Sequence, residues 1–566
     1  MNTSEESFTV KSAMPSYTAL IEVMNVKLNR IGAVLACWLL LTGCATDTKN
    51  GQTPSRPALQ SGGSVVYGSL YEPVTLNPLS SDMVSVQEVA SLIFSGMVYM
   101  DDKGEWQPDL AAELPTTANG GVSSDGRVIT YRLRGNVKWH DGRPFSSDDV
   151  AFTWRLIMDP KNQIVSREGY DQIASVETPD PATVVIRFRQ YYPAFLNLFS
   201  RILPRHLLEG ADFAKAAFNR APVGTGPFRF VEWRMAEEIH LRANPDYHLG
   251  KPLLDAIAYK IIPDMNILLT QIRAGSLDIV GNLDSSMVNQ ARAVDAVQVV
   301  MNPTMIWEHI DFNLNDIRLQ DVRVRQAVSL AIDRQALIGE AYRGAAAAAA
   351  ADQWPVSWAA RTDLSVPERN VEQAKSLLSQ AGWSQGGDGI FVRDGMRLSL
   401  NLVTTAGNKQ REIAVRLLAQ QLREAGVELT PRFVDTPALF GETLPGRRFD
   451  LALYAWYLGP DPDNGSLWHS RNIPGGSNGY RGKNYPGWRN AEVDALFDQA
   501  ARTLDAGSRR QLYYRAQELF VQEVPAVPLY FYSNISAVKK NIVNYRPNAS
   551  PSGNLWNAWQ WARTAK

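Results

Sequence analysis

The chain has 566 residues, with 57 Lys+Arg against 58 Asp+Glu and two cysteines, Cys37 and Cys44. A charge this close to balance argues against a nucleic-acid partner. With no thiol after residue 44, the body has no disulfide framework, zinc cluster or cysteine nucleophile, and its roughly 500 residues exceed one core and imply two or more lobes.

The polar stretch from Thr46 to Ser64 has no folding pattern, and what precedes it has the order of a leader. Lys27 and Arg30 supply positive charge, an apolar run covers 31–41, and Thr42-Gly43-Cys44 follows. That order is the grammar of a secretory signal, and the run is shorter than the ~20 residues that span a bilayer. Leu41-Thr42-Gly43-Cys44 resembles a bacterial lipobox, whose cysteine is acylated and becomes the first residue of the mature protein. The Thr-, Ser-, Gly- and Pro-bearing stretch 45–64 suits a flexible tether. Glu5, Glu6 and Glu22 do not suit a leader, whereas "MNVKLNRIGAVLAC" from Met24 does. The expectation is therefore a leader and lipobox over 1–44, with translation starting at Met24. Two or three acyl chains on Cys44 would anchor the body stably to a bacterial membrane, on its periplasmic or cell-surface face.

The body opens with "GGSVVYGSLYEPVTLNP", a strand over 65–69, a bend at Glu72-Pro73 and a turn at Asn77-Pro78. "RVITYRLRGNVKWHDG" alternates as a half-buried strand that closes at Asp141-Gly142. Ser146 and Asp149 then form a capping-box pattern ahead of a helix carrying Val150 and Trp154. Val324, Ala327, Val328, Ala331 and Ile332 predict a helix with one buried face. Beyond it come a helix over 371–381 ending at Gly382, a strand through Leu398, Leu400 and Leu402, and a helix over 413–425 ending at Gly426. Strands over 427–433 and 450–456, helices over 490–504 and 508–521, and the strand-like "VPLYFYSNISAVKKNI" complete an α/β alternation. The seven alanines at 345–351 predict a small-residue loop or helix extension, with no hydrogen bond to offer a ligand.

Catalytic motifs are missing. Gly224-Thr225-Gly226 begins like a dinucleotide loop, but Arg229 stands where the third glycine belongs. His140, His206, His240, His248, His309 and His469 form no pair at helical spacing, so structural roles are expected, with no metal and no cofactor. A glycosidase would need two carboxylates converging in space, and no spacing nominates them. Instead, aromatic and polar residues crowd the strand ends, in "YEPVTLNP", "WEHIDFN" and "YAWYLGPDPDNGSLWHS". Such crowding points to a cleft that grips a solute, although any one tryptophan is more often core.

Taken in order, "YGSLYEPVTLNP", "YRLRGNVKWHDGRPFSSDDVAFTW", "ILPRHLL", "PVGTGPFRFVEW", "IDFNLNDIRLQDVRVRQAVSLAIDR", "LLSQAGW" and "NYPGWRNAEVDALFDQA" resemble the extracytoplasmic solute-binding proteins of the peptide/nickel class, family 5. The resemblance implies an α/β, two-lobed periplasmic-binding-protein fold of class II with an extra subdomain. Lobe I is expected over 65–310, with the subdomain at about 101–219, lobe II over 311–530, and a return to lobe I over 531–566. Hinge strands are expected near 309–313 and 531–536. Tyr131, Leu133, Val137 and Phe145 are expected in the core, and Gly224, Gly226 and Pro227 in a tight turn.

The resemblance also implies two pocket walls. One is Tyr71-Glu72-Pro73. The other follows Trp456, where the family's peptide binders often read Trp-x-x-Asp, with the aspartate on the peptide ammonium. Here Gly459 stands in its place, and the loop to Asp461-Pro462 is one residue shorter. The expected ligand-binding set is Tyr71, Glu72, Trp307, His309, Trp456, Tyr457, Gly459, Asp461 and Trp468, with Asp461 better suited to a turn. The implied function is a monomeric, lipid-anchored receptor that passes an oligopeptide or dipeptide to the permease subunits of an ABC importer. A sugar oligomer is the rival ligand, favoured by Trp456, Tyr457 and Trp468; nickel chelates and haem suit the scattered histidines less. A secreted glycoside hydrolase and a receptor signalling to a sensor are the rivals of other classes.

Overall fold

In the computed structural model, residues 59–60 and 62–564 are described; Cys44, the leader and most of the expected tether lie outside the described residues. Eleven strands share one mixed sheet. Across it the order is Glu428–Val434, Ser399–Thr405, Leu451–Tyr457, Val297–Phe312, Ala526–Lys539, Ile279–Val280, Ser64–Ser69, Ala256–Ile261, Glu238–Ala243 and Phe228–Arg234, and the eleventh, Ala346–Ala348, pairs with Ala526–Lys539 off this path.

Two of these strands, of 16 and 14 residues, are long enough at ~3.3 Å per residue to run through both halves of the molecule. They pair antiparallel from Val297↔Lys539 to Pro303↔Ser533, lose register, and resume at Trp307↔Phe531. Pro303 has no N–H to give the ladder, and the bulge lets the pair bend there. From Ile306 to Phe312 the first strand already pairs with the second-lobe strand Leu451–Tyr457. We therefore place the crossing at Pro303–Trp307 opposite Phe531–Ser533. The expected boundary at 310 and hinge at 309–313 fall inside the second lobe's sheet.

Each half has its own core. In the first lobe, Tyr67, Phe228, Tyr259 and Trp561 pack together from both ends of the chain. The subdomain carries a sheet in the order Val128–Arg132, Thr183–Phe188, Ile173–Asp180, under the helix Ser147–Met158. Tyr131, Leu133, Val137 and Phe145 are buried in its core, as their pattern implies. Ser146 caps that helix, and Asp149 accepts from the Ser146 N–H at 3.0 Å and from the Arg205 N–H at 3.1 Å. In the second lobe the helix Lys409–Glu424 links the parallel strands Ser399–Thr405 and Glu428–Val434, the βαβ unit expected of alternating segments.

Three local readings change. Ala346–Ala348 is a short strand beside Tyr530–Tyr532, not a helix extension; methyl side chains let it lie on this edge. Leu59–Gln60 pairs with Arg563 and Thr564, and the Gly62 N–H donates to Leu253 O at 3.0 Å, so the end of the expected tether belongs to the body. Gly224 and Gly226 are needed for close approach rather than for a positive φ. A Cβ on Gly224 would lie 1.9 Å from the Ile93 carbonyl oxygen, and the Gly226 N–H donates to that oxygen at 2.8 Å.

Candidate ligand-binding cleft

The C-terminal ends of Ser399–Thr405, Glu428–Val434 and Leu451–Tyr457 all point toward the crossing, because the three strands are parallel. The loop leaving Leu451–Tyr457 builds one wall of a cleft of about 910 Å³: Tyr457, Gly459, Asp461 and Asp463, backed by Arg509. The facing wall comes from the first half of the chain, with Leu79, Glu168, Tyr170 and Tyr192. Burial pushes the Tyr192 phenol up to about 12, and the charges of Glu168 and Asp461 add to the rise, so both walls converge on this ring. A second cavity of about 450 Å³ is lined by Tyr71, Asn282, Tyr342, Asn408, Gln410 and Tyr532.

The expected site residues divide into three groups. Tyr71 and Tyr457, 59% and 60% exposed, offer open aromatic surface to the second and first cavity respectively. Gly459 lines the larger cleft at φ +79, with nothing within 4 Å of where a Cβ would stand. No side chain replaces the family aspartate at that point.

Glu72, Asp461 and Trp456 are present but committed. Glu72 accepts from Trp233 Nε1 and from the Ala236 N–H, both at 3.0 Å, which fastens the bend to a first-lobe hairpin. Asp461 takes both Arg509 terminal nitrogens, at 2.8 and 3.0 Å, and the Asp463 N–H at 3.1 Å. Burial works against the Arg509 charge, but Asp461 outweighs it and holds the guanidinium above its ordinary value. The half-buried Trp456 ring stacks on Tyr485 at 6.1 Å and carries Lys483 Nζ 5.2 Å from its centroid.

Trp307, His309 and Trp468 require correction, because all three are buried in the second lobe and no solute reaches them. Trp307, His309 and Asp311 alternate onto one face of the crossing strand, where the Trp307 and His309 rings stack at 4.0 Å. Phe520 and Trp468 meet Trp307 edge-on, and Trp468 Nε1 donates to the buried Asp352 carboxylate.

Sequence reasoning missed Glu168, Tyr170, Tyr192, Asp463 and Arg509. The run "QYYPAF" at 190–195, paired tyrosines before a proline, is the one local signal that marks this wall. Asp463 is the least committed carboxylate on its side. Its Oδ1 accepts from the Gly465 N–H at 2.8 Å, and among the described residues it forms no ion pair. It keeps a water-exposed edge but is hemmed in by its loop; that desolvation pushes its carboxyl up, and Asp461 adds to the rise.

A model of bacterial extracellular solute-binding proteins, family 5, middle region, matches residues 105–478. The chain belongs to this family. Its relatives include the oligopeptide-binding protein AppA of Bacillus subtilis (strain 168), 29% identical over 94% of this chain and 97% of that one. The solved structure of B. subtilis AppA with a nonapeptide aligns at TM-score 0.61 and 29% identity, covering 90% of this chain and 100% of that one. NikZ of Campylobacter jejuni with Ni(L-His) aligns at TM-score 0.63 and 26% identity, covering 88% and 99%.

As a family 5 member, the protein is a two-lobed solute-binding receptor of the ABC-importer type, a transport protein and not an enzyme. Such receptors face the periplasm or the cell surface and work with membrane permeases. Among the described residues, no helix is long and apolar enough to cross a membrane, and no group of three or more His, Cys, Asp or Glu could hold a metal ion.

Proposed function

We propose that this receptor captures an oligopeptide between its lobes, closes by bending at Pro303–Trp307 and Phe531–Ser533, and presents the closed form to its permease. The observation that carries the reading is a cleft of about 910 Å³ with walls from two lobes, between which two long paired strands cross. That volume lies at the upper end of small-ligand pockets, ~300–1,000 Å³, and suits a short oligomer better than a single small metabolite. The relatives named for oligopeptides support the same ligand class.

The lobes already touch beside the cleft. Leu504 packs against the subdomain core, so close to Gly126 that a Cβ there would lie 2.4 Å from Leu504 Cδ2. Further closure requires only a bend in two strands, a hinge motion. The chain is taken to act as a monomer, tethered through acylated Cys44.

Small-angle scattering with a saturating peptide mixture tests the reading. The radius of gyration should fall, and melting should rise, since a ligand at 100 times its Kd stabilises by ~2.7 kcal/mol. An unchanged radius at saturation argues against closure. A sugar oligomer is the second reading, favoured by the tyrosine rings at 170, 192 and 457 in the cleft; stabilisation by oligosaccharides and not by peptides would select it.

A further inference from the structure

The charged groups along the larger cleft are unevenly committed. Four carboxylates line it against two guanidiniums. Arg509 is spent on Asp461, with two hydrogen bonds at 2.8 and 3.0 Å. Arg471 pairs with Asp498 and also contacts His469, whose other ring nitrogen lies 3.3 Å from Asp494. Both cations of the wall are therefore neutralised by the protein itself.

The carboxylates left over are Glu168 and Asp463. Among the described residues Glu168 makes no side-chain hydrogen bond or ion pair, whereas its backbone N–H meets Ser166 Oγ at 3.1 Å. Asp463 gives one oxygen to the Gly465 N–H and keeps the other free. One belongs to the first half of the chain and the other to the second lobe, so they approach the solute from the two walls. The second cavity repeats the pattern, because its one charged lining residue among those described, Asp284, accepts from the Ser286 N–H and pairs with no cation of the described residues.

A wall whose cations are spent and whose anions are free repels anionic solutes and lowers the free energy of cationic ones. In a cleft that excludes water, the discrimination exceeds that of an exposed pair, because the effective dielectric falls. We propose that the cleft selects a solute with positively charged side groups, a peptide with basic side chains, held between Glu168 and Asp463. The peptide part rests on the reading above; the charge preference rests on the wall alone. Because the two carboxylates lie on different lobes, a bridging cation also draws the lobes together.

The test is isothermal titration of the protein with tri-lysine, tri-alanine and tri-glutamate at low salt, alongside a glucosamine trimer and its N-acetylated counterpart. Tri-lysine should bind at least about tenfold more tightly than tri-alanine, ~1.4 kcal/mol, and tri-glutamate more weakly than both. Glu168→Gln and Asp463→Asn should each shrink the lysine preference about threefold or more. Affinity for tri-alanine should fall less than affinity for tri-lysine, and melting should be unchanged, because Asn keeps an acceptor for the Gly465 N–H. In 1 M salt, where the Debye length is ~3 Å, the preference should contract.

Tri-glutamate binding as well as tri-lysine, or a preference untouched by both variants, overturns the proposal. The sugar pair separates the two claims. If no tripeptide binds but the glucosamine trimer binds over its acetylated form, the charge preference stands and the peptide reading falls. If the acetylated form wins, or no probe binds, the charge preference falls.

Discussion

His140 fastens the joint between the subdomain and the first lobe, and its protonation should release that joint. Its Nδ1 accepts from the Gly224 N–H at 3.2 Å, and its Nε2 lies 3.0 Å from the Gly226 carbonyl oxygen. Both contacts are satisfied only by a neutral ring with its proton on Nε2; a second proton would set an N–H against the Gly224 N–H. Burial lowers the ring from 6.5 to about 4, and Arg229 adds to the fall against the pull of the Gly226 carbonyl. Because the folded value lies below the unfolded one, the contribution is complete above pH ~6.5 and is lost as pH falls toward 4. Between pH 7.5 and pH 5 the linkage amounts to about 2 kcal/mol, or roughly 4–8 °C in melting temperature for a lobe-sized unit. His140→Asn keeps an acceptor for Gly224 and cannot titrate. Its melting should therefore fall less than that of the parent over this interval, after a fixed cost of about 1 kcal/mol at pH 7.5. Parallel losses in the two proteins would refute the argument.

Cys44→Ser should release the protein from membranes with its melting unchanged; a variant that still sediments with membranes after a salt wash refutes anchoring there. Asp461→Asn should lower melting by a margin equivalent to ~3 kcal/mol, because it strips the partner from Arg509, whose side chain is 6% exposed; an unchanged melting temperature would count against that. Tyr457→Ala should leave melting alone and weaken peptide binding by ~1 kcal/mol, and unaltered titration would remove Tyr457 from the site. Leu504→Ala should enlarge the radius of gyration of the ligand-free protein in solution, and no change would show that this contact does not hold the lobes together.

Periodic features were legible in the chain. The helix expected from Val324, Ala327, Val328, Ala331 and Ile332 is Val322–Ala331, and the pattern through Leu398, Leu400 and Leu402 is the strand Ser399–Thr405. The Ser146/Asp149 signature does cap its helix. Local spacing carries these because each element buries a face set by its own repeat. It does not carry which neighbour covers that face. "WEHIDFN" reads the same whether its tryptophan meets a ligand or Phe520, and the structure puts Trp307 against Phe520.

Charge commitment was the least legible property, and it decides what the cleft can hold. Asp461 and Asp463 are two residues apart in "GPDPDNG", and both fit a turn. What separates them is Arg509, forty-eight residues downstream on the helix Ala506–Glu523. That helix packs so that its guanidinium reaches the first aspartate and satisfies it. The second is left with a free oxygen at the cleft, where desolvation works against its charge. A carboxylate in that position lowers its free energy by accepting a cation. On the proposal that a basic side chain binds there, Asp463 would meet its charge from one wall and Glu168 from the other as the lobes close.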